Sequence, residues 1–348
     1  MKKIKYSTIL FLFFSTAFSF AQNKSILEDK YVVIGGIEQW ITIKGKDISK
    51  PVILFVHGGP GSTMSQYDDA IYGDWEKDFI LVNWDQRGAG RTYGRNVTEE
   101  VNEDYFIENP LTVEQMTNDG IELTKYLIDH LNKKKVLLIG TSWGSILGAE
   151  MALSNPELFY AYIGHAQFVN FSENINYAYN KVYEMARNEK NMDAIKTLEA
   201  LGKPPYDNAQ NYGQLIRIVK KYESENSTPA PNTWFKLAPE YDNEKDSKDR
   251  YDGDDYSFIN LVGHKKLGIK SMVSGIDLIE SGLKFEIPVY MIQGEVDILT
   301  SKEINRPYFD KITAPKKEYF LLPNAAHGFN QSVVDKQYEI INSYISYK

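Results

Sequence analysis

The chain has 348 residues, of which 43% are hydrophobic and 25% charged, and it contains no cysteine. Such a composition excludes a disulfide-bonded miniprotein, a zinc–thiolate module, a collagen-like chain and a wholly disordered one. The length predicts one large domain with an insertion, or two domains, and the net charge of −8 disfavours nucleic acid and anionic membranes as partners.

The N-terminal segment, residues 1–21, is typical of an export signal. Three lysines lie among its first five residues, and Ile9–Phe20 form an apolar stretch of 12 residues. A helix of that length, at ~1.5 Å per residue, cannot cross a hydrocarbon core of ~30 Å but suits a signal peptide. We expect cleavage after Ala21, which removes three positive charges and leaves −11. The protein would then be periplasmic or secreted, without stable membrane insertion; an uncleaved anchor helix is the alternative.

Strand-like patterns begin after this segment. In Lys30–Lys44, two apolar runs flank Gly35 and Gly36, a pair suited to the positive φ angles of a tight turn. An antiparallel hairpin is therefore expected to open the sheet. Short apolar runs without alternation follow, which is typical of parallel strands covered on both faces. They occupy residues 52–56, 79–84, 136–139, 160–164, 289–292 and 319–322.

Segments with apolar residues at helical spacing separate or follow several of these runs. They occupy residues 112–131, 145–154 and 333–345. Strands that alternate with helices predict an α/β fold, here a mostly parallel sheet with right-handed crossovers and flanking helices. This pattern accounts for the two ends of the chain but not for its middle.

Between residues 169 and 284 the strand rhythm gives way to amphipathic helical patterns, at 177–199 and 212–223, and to polar loops. We therefore predict a helical cap inserted over residues 169–284, which divides the sheet domain into residues 22–168 and 285–348. The acidic stretch 240–256 holds eight Asp or Glu residues and is predicted to be a solvated loop of the cap. The alternative is that it attracts the cationic N-terminus of a peptide.

The strongest local motif is Gly140-Thr141-Ser142-Trp143-Gly144, which follows an apolar strand and precedes a helix. A nucleophile on such a sharp turn projects its Oγ away from the backbone, and small residues at both ends let the turn close. Ser142 is therefore the candidate nucleophile. An ordinary glycine-rich turn between a strand and a helix is the alternative.

A serine hydroxyl needs a base to accept its proton and a third group to orient that base. Of the five histidines, His327 follows the last predicted strand, at the carboxyl edge of the sheet where such a base belongs. The acid is expected between the two in sequence, after the strand that leads to Gly294. Asp297 is our choice because it lies past that turn, and Glu295 is the alternative.

A second glycine-rich segment, HGGPG from His57 to Gly61, follows the strand at 52–56. A tetrahedral intermediate needs preformed N–H donors, which glycine backbone supplies without steric cost. We assign these oxyanion-hole donors to the N–H groups of Gly59 and Trp143. His57 is predicted to brace the loop rather than to take part in the chemistry.

Three motifs together, HGGPG at residues 57–61, DQRGAG at 85–90 and GTSWG at 140–144, resemble the proline iminopeptidases of the α/β-hydrolase superfamily. The resemblance covers residues 30–168 and 285–345. It implies an α/β-hydrolase fold, with a mostly parallel sheet of the eight-stranded type flanked by helices and an inserted helical cap. It also implies a catalytic triad of Ser142, Asp297 and His327, and neither a metal nor an organic cofactor.

The function implied by this resemblance is that of a serine hydrolase, an aminopeptidase that releases N-terminal proline or another small apolar residue through an acyl-enzyme. The expected partner is a short peptide or another small acyl substrate. In such enzymes carboxylates near the cap hold the α-amino group of the substrate. This chain has Trp234 followed by Phe and Lys where members often carry a Trp–Glu pair, so the carboxylates stay open among Glu173, Glu184 and Glu240.

Other functions are weighed against this one. A carboxylesterase or amidase could use the same triad, because a triad alone does not choose the acyl group, and a noncatalytic binding protein could use the same scaffold. The glycines at 88, 90 and 94 approach a dinucleotide-binding fingerprint, but the third falls one residue late, which disfavours nucleotide binding. Asp85 and Arg87 are instead expected to form a buried ion pair. The sequence does not indicate an oligomeric state.

Overall fold

The computed structural model describes residues 24–97 and 101–346. The segment predicted to be an export signal, residues 1–21, lies outside these ranges, so the signal, its cleavage and the location of the protein stay predictions. Within the described ranges, no helix combines the length and the apolar character needed to cross a membrane.

An eight-stranded sheet forms the centre of the fold. Its strands are β1 (Ile26–Ile34), β2 (Ile37–Gly45), β3 (Val52–Val56), β4 (Ile80–Trp84), β5 (Val136–Thr141), β6 (Phe159–His165), β7 (Val289–Gly294) and β8 (Lys317–Leu322). They lie in the order β1-β2-β4-β3-β5-β6-β7-β8. The pairs β1–β2 and β2–β4 are antiparallel, and all other neighbours are parallel. The predicted α/β fold with a mostly parallel sheet is confirmed.

Helices connect and cover the strands. They are α1 (Asp68–Tyr72), α2 (Gly90–Asn96), α3 (Glu103–Glu108), α4 (Val113–His130), α5 (Trp143–Ser154), α6 (Phe171–Asn188), α7 (Met192–Leu201), α8 (Ala209–Glu225), α9 (Glu244–Val262), α10 (Leu278–Ser281), α11 (Lys302–Lys311) and α12 (Gln331–Ser346). Short 3₁₀ turns lie at Gly73–Lys77, Pro156–Leu158, Pro239–Tyr241 and Lys265–Leu267.

Both faces of the central strands are buried. In β3, Leu54 and its alternate neighbours join the core that includes α4 and α5, whereas Ile53 and Phe55 join the core that includes α1 and α12. Every residue of β3, β4, β5 and β7 is buried. Such two-sided burial explains why these runs of sequence are apolar without alternation.

The predicted hairpin opens the sheet. Gly35 and Gly36, with φ angles of 56° and 79°, turn the chain from β1 into β2, and β1 forms one edge of the sheet. Positive φ at both positions is the requirement that favours glycine there.

The chain between β6 and β7, all of it described, carries the five helices α6 to α10 and no strand of the sheet. We call them the inserted helices. The limits that the sequence predicts for a cap, residues 169 and 284, stay predictions. The helix predicted over 177–199 is divided in two, because Lys190 adopts a left-handed φ of 58° and the side chain of Asn191 accepts the N–H of Ala194 to cap α7.

The prediction of a solvated loop over residues 240–256 is wrong, because most of this stretch belongs to α9. The side chain of Asn243 accepts the N–H of Asp246 and so caps the start of the helix. Acidic residues in the first turn stabilise the helix further, because their negative charge interacts favourably with the helix dipole. Two lysine–aspartate ion pairs, each spanning one helical turn, offset part of the repulsion among the acids. They are Lys245–Asp249 and Lys248–Asp252.

The ion pair predicted between Asp85 and Arg87 is not formed. Asp85 accepts the hydroxyl of Ser65 at 2.6 Å and the N–H of Arg91 at 2.9 Å, because the first N–H groups of α2 have no acceptor within the helix. Its carboxylate thus caps the start of α2. Arg87 turns instead to Asp119 of α4, with Nε 2.7 Å from Oδ2 and a second nitrogen 3.0 Å from Oδ1.

Removal of the Asp119 carboxylate tests this pairing. The side chains of Arg87 and Asp119 are only 12% and 2% exposed, so Asp119→Ala is expected to lower the free energy of unfolding by about 3–5 kcal/mol. Asp129→Ala, at an exposed position of the same helix, should change it by less than about 0.5 kcal/mol. Urea denaturation measures both variants, and equal stability of the two would contradict the pairing.

Candidate active site

The turn between β5 and α5 carries Ser142 in a strained conformation, with φ 53° and ψ −120°. Glycines close the turn. A Cβ on Gly140 would lie 2.4 Å from the carbonyl oxygen of Gly144, and a Cβ on Gly144 would lie 2.1 Å from that of Val56. Only glycine fits at either end, and Ser142 is partly exposed between buried neighbours.

Three predicted residues meet at the carboxyl edge of the sheet. The Oγ of Ser142 lies 2.8 Å from Nε2 of His327, and Nδ1 of His327 lies 3.2 Å from Oδ2 of Asp297. The Asp297 side chain is fully buried, and that of His327 is 14% exposed. Glu295, the alternative acid, turns away toward Lys302, whose Nζ is 3.9 Å distant. The structure therefore brings together Ser142, His327 and Asp297.

The pKa values of Asp297 and His327 depend on burial and on the interaction between the two side chains. Burial opposes ionisation of Asp297, but the charge of His327, the hydrogen bond from its ring and the bonds from Thr300 outweigh it and lower the pKa of the carboxyl. Burial likewise opposes protonation of His327, but the charge and hydrogen bond of Asp297 outweigh it and raise the pKa of the imidazole. The arrangement favours an ionised acid beside an imidazole of increased basicity.

Thr300 is a member of this site that the sequence analysis missed. Its N–H donates to Oδ1 of Asp297 at 2.8 Å, and its hydroxyl donates to Oδ2 at 2.7 Å. The same hydroxyl oxygen lies 3.2 Å from Nδ1 of His327. An aspartate three residues before a threonine is a local turn signal that could have indicated this contact.

The HGGPG loop runs directly beside the nucleophile. A Cβ on Gly58 would lie 3.2 Å from Cβ of Ser142 and 3.8 Å from its Oγ, and Gly59 has a φ of 112° that favours glycine. Trp143 is the first residue of α5, where backbone N–H groups lack acceptors within the helix. The two predicted oxyanion donors, Gly59 and Trp143, therefore belong to the backbone segments that flank Ser142.

Gln86 joins the three motifs and was also missed. Its Oε1 accepts Nε1–H of Trp143 at 3.0 Å, its Nε2 donates to the carbonyl of His57 at 2.8 Å, and its backbone N–H donates to Nε2 of His57 at 3.2 Å. Because a backbone N–H can only donate, Nε2 of His57 is unprotonated and Nδ1 carries the proton, 2.8 Å from the carbonyl of Gly58. Burial lowers the pKa of His57 to about 4, so this neutral ring braces the loop.

The three carboxylates considered for the substrate amine are exposed. Glu173 lies in the first turn of α6, Glu184 lies 3.9 Å from Lys181 on the same helix, and Glu240 lies in the 3₁₀ turn before α9. In the described part of the chain, none of them forms a hydrogen bond or ion pair with a residue of the triad. Their assignment to the substrate amine stays a prediction.

Two other carboxylates of the inserted helices reach the site. Asp254 of α9 lies against the HGGPG loop, where the hydroxyl of Ser62 donates to its Oδ1 at 3.2 Å. Glu223 of α8 is only 4% exposed, and its Oε1 accepts the N–H groups of Ile298 at 2.6 Å and Leu299 at 3.2 Å. Burial and the charge of Asp297 raise the pKa of Glu223 to about 7. Helical spacing alone gives no signal that distinguishes either residue.

The arrangement can perform nucleophilic acyl transfer. A partly exposed hydroxyl contacts an imidazole, a buried carboxylate orients that imidazole, and backbone N–H groups border the hydroxyl. Within residues 24–97 and 101–346, no cluster of three or more His, Asp or Glu side chains could hold a metal ion.

Comparison with known proteins identifies the family. The family described as alpha/beta hydrolase fold matches residues 51–330. The probable aminopeptidase YbaC of Bacillus subtilis (strain 168) is 28% identical over 309 residues, which cover 88% of this chain and 92% of that protein. A putative proline iminopeptidase of Mycoplasma genitalium is 30% identical over 129 residues, 37% of this chain and 36% of that protein. The crystal structure of proline iminopeptidase from Mycobacterium smegmatis superposes with a TM-score of 0.58 at 16% identity, covering 92% of this chain and 97% of that one.

Thr300→Val tests the hydrogen bond that the Thr300 hydroxyl donates to Asp297. A hydrogen bond to a charged group contributes about 1.5–3 kcal/mol, so labelling of Ser142 by a fluorophosphonate probe should slow by about 10- to 100-fold. Thr300→Ser keeps the hydroxyl and should label within about threefold of the unaltered chain. Equal labelling rates for the Val and Ser variants would contradict the role of this hydroxyl.

Proposed function

Since the chain belongs to the alpha/beta hydrolase fold family, we propose that it is a serine hydrolase, an aminopeptidase that releases N-terminal proline or another small apolar residue from short peptides. The observation that carries the proposal is the 2.8 Å contact between Ser142 Oγ and His327 Nε2, with Asp297 on the far side of the imidazole. Export to the periplasm or the medium is part of the proposal and rests on the N-terminal segment.

Acylation begins when Ser142 Oγ attacks the scissile carbonyl carbon and Nε2 of His327 accepts the hydroxyl proton. Asp297 holds the proton on Nδ1 and stabilises the imidazolium that forms. The N–H groups of Gly59 and Trp143 donate to the oxyanion of the tetrahedral intermediate. The carbon–nitrogen bond then breaks, and His327 gives its proton to the leaving amine.

Deacylation repeats these steps with water as the nucleophile. His327 accepts a proton from the water as it attacks the ester on Ser142, and then returns it to Oγ as the ester bond breaks. The released amino acid carries the new carboxylate. Because His327 must be unprotonated at the start of each half-reaction, the rate falls as the pH drops through its raised pKa.

The choice of an aminopeptidase over an esterase is supported by two observations. YbaC, whose name is that of a probable aminopeptidase, aligns with 88% of this chain. Asp254 places a carboxylate of α9 beside Gly61 and Ser62, at the end of the HGGPG loop. We propose that this carboxylate, which is exposed like the three candidates from the sequence but contacts the loop directly, binds the cationic α-amine of the substrate.

Ser142→Ala and a substrate panel test the proposed reaction. The variant is expected to lose turnover by about 10⁶-fold, and the unaltered chain should cleave proline β-naphthylamide faster than its N-acetylated form or a short p-nitrophenyl ester. Preference for the ester, or indifference to acetylation, would indicate a carboxylesterase or amidase. A chain that neither turns over substrate nor reacts with a fluorophosphonate would be a binding protein.

Asp254→Asn tests the amine site. Loss of this charge should raise KM for free-amine substrates about three- to tenfold and leave the KM of an N-acetylated substrate or ester unchanged, since a partly exposed ionic contact is lost. Asp255→Asn is the matched control, because the neighbouring residue lines a separate surface cleft with Asp249 and Asp252. An equal rise in KM for both variants would show that general electrostatic attraction, and not Asp254, acts on the amine.

A further inference from the structure

Glu223 is a buried carboxylate that the proposed reaction does not use. It lies near the end of α8, one of the inserted helices, yet its Oε1 accepts hydrogen bonds from the backbone of Ile298 and Leu299, directly after Asp297. An inserted helix thus contacts the loop of the sheet domain that carries the proposed acid of the triad.

The two accepted N–H groups lie in the middle of the acid loop, residues 297–300. The ends of this loop are already joined, because Thr300 donates both its N–H and its hydroxyl to Asp297. Ile298 is buried, and a buried N–H without an acceptor is costly. Glu223 therefore accepts the two backbone N–H groups of the loop that lie between Asp297 and Thr300.

The same carboxylate also acts on His327 through its charge. Among the described residues, the imidazole interacts electrostatically with Asp297 of the acid loop, Glu223 and Lys220 of α8, and His165 at the end of β6. Ionised Asp297 and Glu223 raise the pKa of His327, whereas Lys220 lowers it. Burial lowers the pKa of His165 to about 3, so this ring stays neutral.

We propose that Glu223 is a positioning residue of the Ser142–His327–Asp297 triad, which holds the acid loop by two backbone hydrogen bonds and places a second negative charge near the imidazole. The inference rests on the proposed function, because only a working triad gives such positioning a purpose. It makes the inserted helices part of the catalytic apparatus as well as a cover over the sheet.

The proposal predicts that the influence of Glu223 on the triad depends on pH. Burial and the charge of Asp297 raise the pKa of Glu223 to about 7, so the second charge is present above that pH and disappears below it. Above that pH the ionised carboxylate supports the imidazolium that forms during acylation. Removing the charge should lower the pKa of His327 and move the acid limb of the kcat/KM profile to lower pH.

Glu223→Gln and Glu223→Ala separate the effect of the charge from the effect of the two backbone hydrogen bonds. Glutamine keeps an oxygen that can accept both N–H groups but removes the charge. We therefore expect kcat above pH 8 to fall about three- to tenfold while KM stays unchanged. The acid limb of the kcat/KM profile should move to lower pH. Alanine removes the acceptor as well and should lower kcat about 10- to 100-fold. Glu225→Gln, two residues further along at a half-exposed ion pair with Lys221, is the control and should behave as the unaltered chain.

An NMR titration of the His327 ring in the full chain makes the result independent of any substrate. Only five histidines are present, and His327→Gln identifies the signal. The proposal predicts a lower pKa of His327 in Glu223→Gln than in Glu225→Gln. Equal His327 pKa values and equal pH profiles would overturn the role of Glu223. A lowered pKa in a chain that hydrolyses nothing on the panel would instead overturn the proposed function, while the effect of the Glu223 charge on the His327 ring would stand.

Discussion

The site depends on the parallel alignment of β5, β7 and β8, because the carboxyl ends of parallel strands meet at one edge of a sheet. Ser142 follows β5, Asp297 follows β7 and His327 follows β8, so residues up to 185 positions apart in sequence lie within hydrogen-bond distance. Both faces of β5 and β7 are buried, and β8 pairs with β7 in parallel along its whole length. The hydrophobic core therefore sets the geometry of three polar side chains that it does not contain.

The three sequence motifs act as one unit around Gln86. Its side chain contacts Trp143 on one side and His57 on the other, which couples the turn of the nucleophile to the HGGPG loop. The neutral His57 ring suits this task because it can accept one backbone hydrogen bond and donate another. A charged ring could not accept the N–H of Gln86, so burial and hydrogen bonding favour the same protonation state.

Sequence patterns predicted the features that local chemistry dictates. The hairpin at Gly35 and Gly36, the buried strands and the order Ser142, Asp297, His327 all follow from spacing and residue type. Two predictions failed for different reasons: Arg87 pairs with Asp119 on a distant helix, whereas α9 forms through a local cap and ion pairs one turn apart in a stretch whose acidic composition suggested a loop. The role of Glu223 could not be predicted, because its neighbours come from the placement of α8 over the sheet, and helical periodicity carries no information about that placement.

The bonds from Glu223 to Ile298 and Leu299 also bear on how this architecture can diversify. Exchange of the segment between β6 and β7 is a route to new specificity in such proteins, since one fold can carry different connections and sites. Here a transplanted segment that lacked a carboxylate at this point would leave the recipient's acid loop without its support. Recombination should therefore succeed only when donor segment and acid loop are inherited together, so two regions 75 residues apart form a single unit of exchange.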